Sequence, residues 1–271
     1  GYWSFLCRVY LRNMTLPSSW HADWSGLSAV VLGLGKSGFS VVDTLIELGV
    51  KTTAIAGKVD EQIRELTEVI GVQIILGESA ELIENLAEVD FAVVSPGYRP
   101  DHPQVAALRE RSVEIFTDID LAYRLRDKTS RISRWITITV TNGKTTTTEL
   151  TAHILRTGGF RAVACGNIGN PILDAIRDPE GFDFLVVELS SFQLHYMHQI
   201  SAEASAFLNF ADDHLDWHGS ERAYFEAKSK VFNLTSKAIV FNEQDSRTLQ
   251  AAQDAEVTEG ARAVSFTLGV P

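Results

Sequence analysis

Short runs of apolar and β-branched residues recur along this chain, separated by glycine-rich turns and by stretches of helical length. In the first part the runs occupy residues 29–32, 51–56, 72–76, 91–94 and 113–116. Continuous apolar runs of this length are typical of strands buried on both faces of a parallel sheet. Because helical stretches at 39–48 and 103–111 lie between them, we predict a doubly wound, Rossmann-like α/β domain over residues 28–117.

The same alternation returns after a polar, charged segment at 124–134, which we interpret as the connection between two domains. A helix is predicted from Lys144 to about residue 156. Further strands are predicted at 135–138, 162–164, 184–187, 204–208 and 237–241. This pattern predicts a second α/β domain over residues 118–271. Ligand sites in open parallel sheets lie at the carboxyl ends of strands, so polar residues just after the strands are the candidates for chemistry.

The clearest candidate is the run Thr-Val-Thr-Asn-Gly-Lys-Thr-Thr at 139–146, between a predicted strand and a predicted helix. A Gly-Lys-Thr triplet at such a turn is typical of nucleoside triphosphate sites. Backbone N–H groups face the phosphates, the lysine reaches the β and γ oxygens, and the hydroxyl binds Mg²⁺. The alternative is an ordinary glycine turn, because Ile138 stands where the full motif has its first glycine. The run favours a P-loop-type ATPase domain.

A second glycine-rich turn, Gly33-Leu-Gly-Lys-Ser-Gly38, follows the first predicted strand. Its spacing matches the dinucleotide-binding fingerprint, which also needs an acidic residue near the end of the second strand to bind a ribose hydroxyl. This chain has Ala-Gly-Lys at 56–58 instead. The pattern therefore argues against NAD and favours another nucleotide diphosphate. A turn kept only for tight strand–helix packing is the alternative.

Three further groups of polar residues follow later strands or lie near them. Glu188 ends an apolar strand, where a carboxylate is well placed to hold Mg²⁺ beside the phosphates; a solvated glutamate is the alternative. Residues 209–218 collect aspartates and histidines after another strand, which favours a metal or phosphate role. Lys228 lies near the apolar face of a predicted helix, and composition by itself favours a solvated lysine there.

Composition and charge narrow the class of protein. Of the residues, 45% are hydrophobic and 22% are charged, as in ordinary globular proteins. Because 24 Lys and Arg face 35 Asp and Glu, the net charge is −11, which argues against nucleic acid and anionic membranes as partners. Cys7 and Cys165 form no disulfide framework and indicate a reducing cytoplasm. No apolar run is long enough to span a bilayer.

The first 13 residues are aromatic and basic, but Arg8 and Arg12 interrupt the apolar stretch and no small-residue cleavage site follows. We interpret residues 1–27 as an N-terminal extension and Met14 as the native start, with the preceding stretch coming from an upstream start assignment.

Five short motifs follow one another along the second half of the chain. They are Thr-Asn-Gly-Lys-Thr-Thr at 141–146, Gly-Asn-Ile-Gly at 166–169, Glu-Leu-Ser-Ser-Phe-Gln-Leu at 188–194, Asp-His-Leu-Asp at 213–216 and Ala-Lys at 227–228. In order and spacing they resemble the motifs of the Mur ligases of peptidoglycan synthesis. Within that family the Glu-Leu-Ser-Ser-Phe-Gln run is most similar to that of the members that add D-glutamate. The resemblance covers the chain from about Ser28 to its end.

The resemblance implies an ATP and Mg²⁺ site in the second domain. Lys144 and Thr145 are expected on the phosphates, and Thr145, Glu188 and His214 on magnesium. Lys228 corresponds to a lysine that the family carbamylates, which turns a cation into a carboxylate-like metal ligand. Lys144, Glu188, His214 and Lys228 are thus the expected catalytic group. The expected ATP-binding residues are Thr141, Asn142, Gly143, Lys144, Thr145 and Thr146.

The resemblance also implies the other substrates and the reaction. ATP would phosphorylate the carboxylate of UDP-N-acetylmuramoyl-L-alanine, and D-glutamate would displace phosphate to form an amide. Such a protein is expected to be a cytoplasmic monomer serving cell-wall biogenesis, cell shape, the cell cycle and cell division. The expected substrate contacts are Gly33, Gly35, Lys36 and Ser37 near the diphosphate and uracil, and Asn167, Ser190 and Gln193 near the muramoyl part.

Three departures from the family pattern bear on these expectations. Val140 replaces a glycine in the phosphate loop, which predicts weakened ATP binding because a β-branched residue restricts the backbone. Ala-Gly-Lys at 56–58 replaces an acid that contacts the uracil end, so UDP affinity is expected to be lower or Lys58 to contribute instead. Family members have three domains, so we expect the second domain to be incomplete at its C-terminus, the C-terminal domain to be absent and the chain to have little activity by itself.

Two competing functions remain open at this point. One is a different Mur ligase or a folylpolyglutamate synthetase-like amide ligase, against which the UDP-type first domain and the Glu-Leu-Ser-Ser-Phe-Gln run both argue. The other is a nucleotide-binding remnant without catalytic activity, for which Val140 and the expected absence of a third domain argue.

Overall fold

Two parallel sheets flanked by helices form the structure, a computed structural model that describes residues 16–198 and 200–269. The first sheet has the strand order β3-β2-β1-β4-β5, and the second has the order β11-β10-β9-β6-β8-β7. Two α/β domains with parallel sheets, as the sequence predicts, are therefore confirmed. Cys7 and Met14, and with them our interpretation of the N-terminal segment, lie outside the described residues.

In the first sheet the chain reverses its direction of travel between two neighbouring strands, β1 and β4. The gap between their carboxyl ends is the switch point at which open α/β sheets bind ligands. The strands are β1 (Ser28–Leu32), β2 (Lys51–Ala56), β3 (Gln73–Leu76), β4 (Phe91–Val94) and β5 (Glu114–Phe116). The helices are α1 (Lys36–Glu47), α2 (Glu61–Val69), α3 (Glu81–Glu84) and α4 (Pro103–Glu110).

A short helix, α5 (Asp118–Arg124), joins the two sheets, and the second sheet begins ten residues later with β6 (Arg134–Thr139). Because β6 lies between β8 and β9, the loop that follows it leaves the middle of the sheet. The other strands are β7 (Ala162–Gly166), β8 (Phe184–Glu188), β9 (Ala204–Phe207), β10 (Ala238–Asn242) and β11 (Arg262–Phe266). The helices are α6 (Lys144–Thr157), α7 (Ile172–Arg177), α8 (Ser191–Tyr196), α9 (Leu215–His218), α10 (Glu221–Ser229) and α11 (Ser246–Gln253), with a 3₁₀ turn at Lys230–Phe232.

Every strand predicted from the apolar runs is present, with ends that differ by no more than two residues. The strand β11 is an addition that the pattern does not predict. It pairs with β10 at the edge of the sheet, and all five of its residues are exposed. Its sequence, Arg-Ala-Val-Ser-Phe, has no more than two consecutive apolar residues, so it lacks the continuous apolar run that is typical of a strand buried on both faces.

The helices α1 and α7 carry the polar contacts that join the two halves. Ser40 Oγ donates to Asp174 Oδ1 over 2.6 Å. Arg177 donates to Asp43 Oδ2 at 2.5 Å and to Glu47 Oε2 at 2.9 Å. Arg177 binds two carboxylates on successive turns of one helix. Ion pairs as well as apolar packing therefore hold the two halves together.

Asp118, the first residue of α5, is a buried link between the halves with 5% of its surface exposed. Its Oδ1 accepts a hydrogen bond from Gln193 Nε2 on α8 over 3.3 Å. Its Oδ2 is buried without a hydrogen-bond partner among the described residues. Burial, only partly offset by the bond from Gln193, raises the pKa of Asp118 to about 6.

We predict that Asp118→Asn stabilises the protein at pH 7.5 and has little effect near pH 4. The native carboxyl holds its proton to a higher pH than the unfolded one, so the wild-type protein loses stability as the pH rises from about 4 to about 6. The amide of the variant does not ionise, so the variant keeps this stability. The expected difference in unfolding free energy at pH 7.5 is on the order of 2 kcal/mol. Urea unfolding curves across this pH range would measure it.

The exposed residue Asp254 provides a matched control, since Asp254→Asn makes the same chemical change outside the core. A stability difference for Asp118→Asn that stays constant from pH 4 to pH 7.5 would contradict the prediction.

Candidate nucleotide and metal site

The phosphate loop joins the central strand β6 to the N-terminus of α6. The helix begins at Lys144, and Gly143 before it has φ 91°. That left-handed backbone is what requires glycine, since a methyl group on Gly143 would meet no atom within 4 Å. The N–H groups of the first helical turn are free of intrahelical partners and can bind an anion.

Asn209, which follows β9, holds the loop in place. Its Oδ1 accepts hydrogen bonds from the backbone N–H groups of Thr141 at 3.1 Å and Asn142 at 3.0 Å. Its Nδ2 donates to the Asn142 carbonyl over 2.9 Å. One amide side chain therefore binds two N–H groups and one carbonyl of the loop backbone. The sequence places Asn209 among the polar residues after the strand but does not predict this contact.

Two lysines converge on one carbonyl oxygen, that of Val140. Lys144 Nζ donates to it over 2.9 Å and to the Thr141 carbonyl over 3.1 Å. Lys228 Nζ donates to the same Val140 oxygen over 2.8 Å and to Thr139 Oγ1 over 3.1 Å. The structure thus brings Lys228 of α10 to the phosphate loop, and its carbamylation and role as a metal ligand stay predictions.

The amine of Lys228 is enclosed, with 1% of the residue exposed. Burial, strengthened by the nearby charge of Lys144, lowers its pKa to about 7, while Asp213 and Glu188 act in the opposite direction. A neutral amine has two N–H donors, which matches the two hydrogen bonds that Lys228 makes with the described residues. The surroundings therefore favour an amine that is neutral for much of the time at neutral pH.

The side chain of Val140 is fully buried beneath the loop. It packs with Ala152 of α6, Ala164 of β7 and Val186 of β8 in a small apolar cluster between helix and sheet. Val140 is not among the described non-glycine residues with positive φ. The loop thus accommodates valine with an ordinary backbone conformation. The structure therefore gives no steric reason for Val140 to hinder the binding of phosphates.

Glu188 stands at the carboxyl end of β8 with 1% of its surface exposed. Asn167 Nδ2 donates to its Oε1 over 2.8 Å, and Thr145 Oγ1 lies 3.4 Å from its Oε2. A methyl group on Gly166 would collide with the Glu188 backbone, so glycine is needed for this close approach. One oxygen of the carboxylate is thereby fixed, and the other faces the hydroxyl of the phosphate loop.

The side-chain oxygens of Thr145 and Glu188 are suitable ligands for magnesium. A hydroxyl and a carboxylate are hard oxygen donors, and Mg²⁺ in nucleotide sites commonly takes one or two protein oxygens together with phosphate and water. Within residues 16–198 and 200–269, no three His, Cys, Asp or Glu side chains converge to hold a metal ion. Thr145 and Glu188 fit such an ion in chemical type, and they would hold it together with the phosphates of a nucleotide and water.

His214 lies beside a cluster of aromatic rings. Its backbone is left-handed, with φ 52°, and its ring packs 4.8 Å from Phe192 and 6.1 Å from Tyr224 between centroids. Its Nε2 lies 3.4 Å from Asp213 Oδ2. The described contacts of His214 thus include a carboxylate but no bond to Glu188 or Thr145, and its role as a metal ligand stays a prediction.

Ser190 and Gln193 form a capping box at the start of α8. Gln193 donates to Asp118, its Oε1 accepts from both the N–H and the hydroxyl of Ser190, and the residue is 1% exposed. In this structure Gln193 stabilises the helix start and links the two halves. Its expected contact with the muramoyl part of a substrate stays a prediction, as does that of Ser190 and Asn167.

The glycine turn of the first sheet also shows close packing. Gly33 has φ 91°, and a methyl group there would lie 2.7 Å from Ser95 Cβ and 3.2 Å from Tyr98 Cε2. A methyl group on Gly38 would collide with the Gly33 carbonyl. Gly35 precedes α1 at its N-terminus, and Lys36 and Ser37 begin the helix, where backbone N–H groups are available to phosphate. Diphosphate contacts from Gly33, Gly35, Lys36 and Ser37 stay predictions.

Two family models match the two halves of the chain. Residues 27–117 match the model described as Mur ligase MurD-like, N-terminal domain. Residues 138–268 match the model described as Mur ligase middle domain.

Curated relatives match almost the whole chain. A UDP-N-acetylmuramoylalanine–D-glutamate ligase of Leifsonia xyli subsp. xyli is 49% identical over 96% of this chain and 53% of that protein. A ligase of the same name from Tropheryma whipplei strain Twist is 46% identical over 94% of this chain and 53% of that protein. The chain spans about half the length of the curated relatives it matches.

Solved structures share the fold. A UDP-N-acetylmuramate:L-alanyl-γ-D-glutamyl-meso-diaminopimelate ligase from Neisseria meningitides has a TM-score of 0.57 at 15% identity, over 89% of this chain and 78% of that one. A UDP-N-acetylmuramate–alanine ligase from Thermotoga maritima has a TM-score of 0.50 at 22% identity, over 86% of this chain and 53% of that one.

We predict that Val140→Gly destabilises the protein without tightening the binding of a non-hydrolysable ATP analogue. The change removes buried methyl groups and loosens the backbone, at a cost of about 3 kcal/mol in unfolding free energy. Urea unfolding would measure the first effect and calorimetric titration with the analogue and Mg²⁺ the second.

Val140→Ala separates packing from backbone freedom, because it removes methyl groups but keeps a Cβ. A several-fold gain in analogue affinity for Val140→Gly but not for Val140→Ala would overturn the prediction and indicate that the loop needs glycine.

Proposed function

Because this chain belongs to the Mur ligase family, we propose that it carries the UDP-substrate and ATP sites of a ligase that joins D-glutamate to UDP-N-acetylmuramoyl-L-alanine. The observation that carries the proposal is the arrangement at the carboxyl edge of the second sheet. Lys144 begins the helix after the loop, and the Thr145 hydroxyl lies 3.4 Å from the buried carboxylate of Glu188. The choice of D-glutamate rests on the named relatives.

The proposed reaction has two steps. A carboxylate oxygen of UDP-N-acetylmuramoyl-L-alanine attacks the γ-phosphorus of ATP, and the bond to the bridging oxygen breaks to release ADP. The amine of D-glutamate then attacks the acyl carbon, and inorganic phosphate leaves as the amide forms and the amine loses a proton. Both steps concentrate negative charge on phosphoryl oxygens, which donors fixed in advance stabilise most effectively.

In this proposal the chain's own residues position the phosphates and neutralise their charge. The loop N–H groups and the start of α6 bind the β and γ phosphates, and Lys144 exchanges its carbonyl contacts for phosphate oxygens. Asn167 holds one oxygen of Glu188, which leaves the other free to bind a cation with Thr145. Magnesium, when bound there, would supply charge neutralisation of the transferring phosphoryl group.

Lys228 is proposed to react with carbon dioxide. Its neutral amine attacks the carbon of CO₂, so that an N–C bond forms, one C=O bond becomes C–O⁻, and a proton is released. The resulting carbamate offers oxygens in place of a cation. Burial beside Lys144, which lowers the pKa of the Lys228 amine to about 7, supports the proposal because only the neutral amine is a nucleophile.

The proposal extends to where the protein works. No helix in the part of the chain that the structure describes is long and apolar enough to cross a bilayer. Separately, on its membership of the Mur ligase family, we propose that the ligase acts as a monomer in the cytoplasm, where its product would supply peptidoglycan synthesis and thereby cell shape and division.

We predict that the chain binds UDP-N-acetylmuramoyl-L-alanine, and separately a non-hydrolysable ATP analogue with Mg²⁺, in calorimetric titrations. Glu188→Gln should weaken the Mg²⁺-dependent binding of the analogue by about tenfold, because it removes the charge that faces the cation. Phosphate release that requires both UDP-N-acetylmuramoyl-L-alanine and D-glutamate would test the full reaction.

A well-folded chain that binds neither ligand would refute the proposal and leave the remnant hypothesis. Binding of the UDP substrate without the ATP analogue would locate the defect in the second domain. Glu149→Gln, on the exposed face of α6, is the control for a simple loss of negative charge.

We also predict that the protein incubated with ¹³C-bicarbonate shows a carbamate resonance in carbon NMR that Lys228→Met abolishes. The matched control is Lys230→Met, two residues further along, where the lysine donates to the His195 carbonyl. Retention of the resonance in a folded Lys228→Met protein would show that another amine is modified.

A further inference from the structure

The first domain lacks an acidic residue where a ribose-binding site of its type requires one. The glycine turn after β1 has the dinucleotide-type spacing, and the partner of that turn is a carboxylate at the end of β2 that binds a ribose hydroxyl. In this chain β2 ends at Ala56, and Gly57 and Lys58 follow.

The structure places a carboxylate at that position from the neighbouring strand. The strands β2 and β3 are parallel and end in register, with Ala56 opposite Leu76. Gly77 N–H donates to the Ala56 carbonyl over 3.0 Å, so the two chains remain side by side just beyond the sheet. Glu78, two residues after β3, is thereby carried to the end of β2.

The side chain of Glu78 lies across Gly57. A methyl group on Gly57 would lie 3.0 Å from Glu78 Cδ and 3.1 Å from its Cγ, and it would be closer still to Oε1. Gly57 is not among the described glycines with positive φ, so its conformation does not require glycine. The space that a side chain at position 57 would fill is instead taken by the carboxylate of Glu78.

Contacts with Leu82 and Gln104 hold the turn that carries Glu78. Gly77 has φ 147°, and a methyl group there would meet Leu82 Cδ1 at 2.9 Å. The fully buried side chain of Gln104 donates from Nε2 to the Gly77 carbonyl at 3.1 Å and to the Ser79 carbonyl at 3.4 Å. One buried amide therefore holds the backbone on both sides of Glu78.

The charge of Glu78 acts on a residue of the glycine turn. Tyr98 packs against that turn, since a methyl group on Gly33 would lie 3.2 Å from Tyr98 Cε2. Burial raises the pKa of Tyr98 to about 12, and the negative charge of Glu78 contributes.

We propose that Glu78 binds a ribose hydroxyl of the uridine diphosphate group, in place of the acidic residue that is absent from the end of β2. The inference rests on the proposed function for the presence of a UDP ligand, and adds the residue that recognises its sugar. Gly57 contributes to the same site because its missing side chain leaves room for Glu78, which follows β3. A carboxylate selects a hydroxyl donor, and the phosphates bind separately at the glycine turn and the start of α1.

The test is calorimetric titration of the full chain with UDP, 2′-deoxy-UDP and 3′-deoxy-UDP. Glu78→Gln should lower the affinity for UDP by about tenfold, the typical effect of losing a hydrogen bond to a charged group. It should have little effect on whichever deoxy analogue lacks the hydroxyl that Glu78 binds. The matched control is Glu81→Gln, which neutralises a neighbouring exposed glutamate on α3 and should leave the affinity unchanged.

A relocation variant tests the geometry. Gly57→Asp combined with Glu78→Ala returns the carboxylate to the end of β2 and should restore most of the affinity that Glu78→Ala loses. Such a rescue distinguishes a direct contact from a structural role of Glu78 in the turn.

Failure of this inference and failure of the proposed function have different signatures. If the folded wild-type chain does not bind UDP, the UDP site itself is wrong. If UDP binds equally well to wild type and Glu78→Gln, the UDP site stands and Glu78 has no part in it. If Glu78→Gln weakens UDP and both deoxy analogues alike, the carboxylate does not bind a ribose hydroxyl and the inference is overturned.

Discussion

The carbonyl of Val140 is the point on which the second domain's site depends. It receives both Lys144, from the helix that follows the loop, and Lys228, from a helix much later in the chain. Burial, strengthened by the charge of nearby Lys144, lowers the pKa of Lys228 to about 7. Lys144 donates to the same oxygen but begins a helix at the surface of the loop. Two chemically identical side chains on one carbonyl thus lie in different surroundings, and this difference underlies the separate roles proposed for them.

The architecture followed from the sequence because most of its strands are buried on both faces. Continuous apolar runs of about four residues, such as those of β4 and β8, are too short for buried helices and therefore indicate strands. The strand β11 was not predicted because its apolar residues are interrupted by Ser265 and form no continuous run. Short helices such as α8 were also missed, because one and a half turns leave too few apolar positions to establish a period.

The site could be predicted only where one residue type in one local pattern decides the chemistry. Lys144, after a strand and before a helix, is such a case. The placement of Lys228 required the resemblance to a family, because its neighbours in space are far away in sequence. The burial of Val140 and the position of Glu78 over Gly57 depend on how separate elements pack, which no local pattern encodes. The contacts of Gln193 with Ser190 and Asp118 are a further case, since the sequence predicts neither of them, while its expected contact with a substrate stays a prediction.

The contact between Gln193 and Asp118 has a consequence for selectivity. Asp118 borders the glycine turn of the first sheet through a small cavity of about 10 Å³ that it shares with Ser37 and Ser95. Gln193 stands five residues beyond Glu188, at the edge of the second sheet that carries the phosphate loop. The buried hydrogen bond between Gln193 and Asp118 ties these two edges to each other. On the proposed function, the resulting spacing would favour a ligand whose diphosphate and carboxylate lie equally far apart.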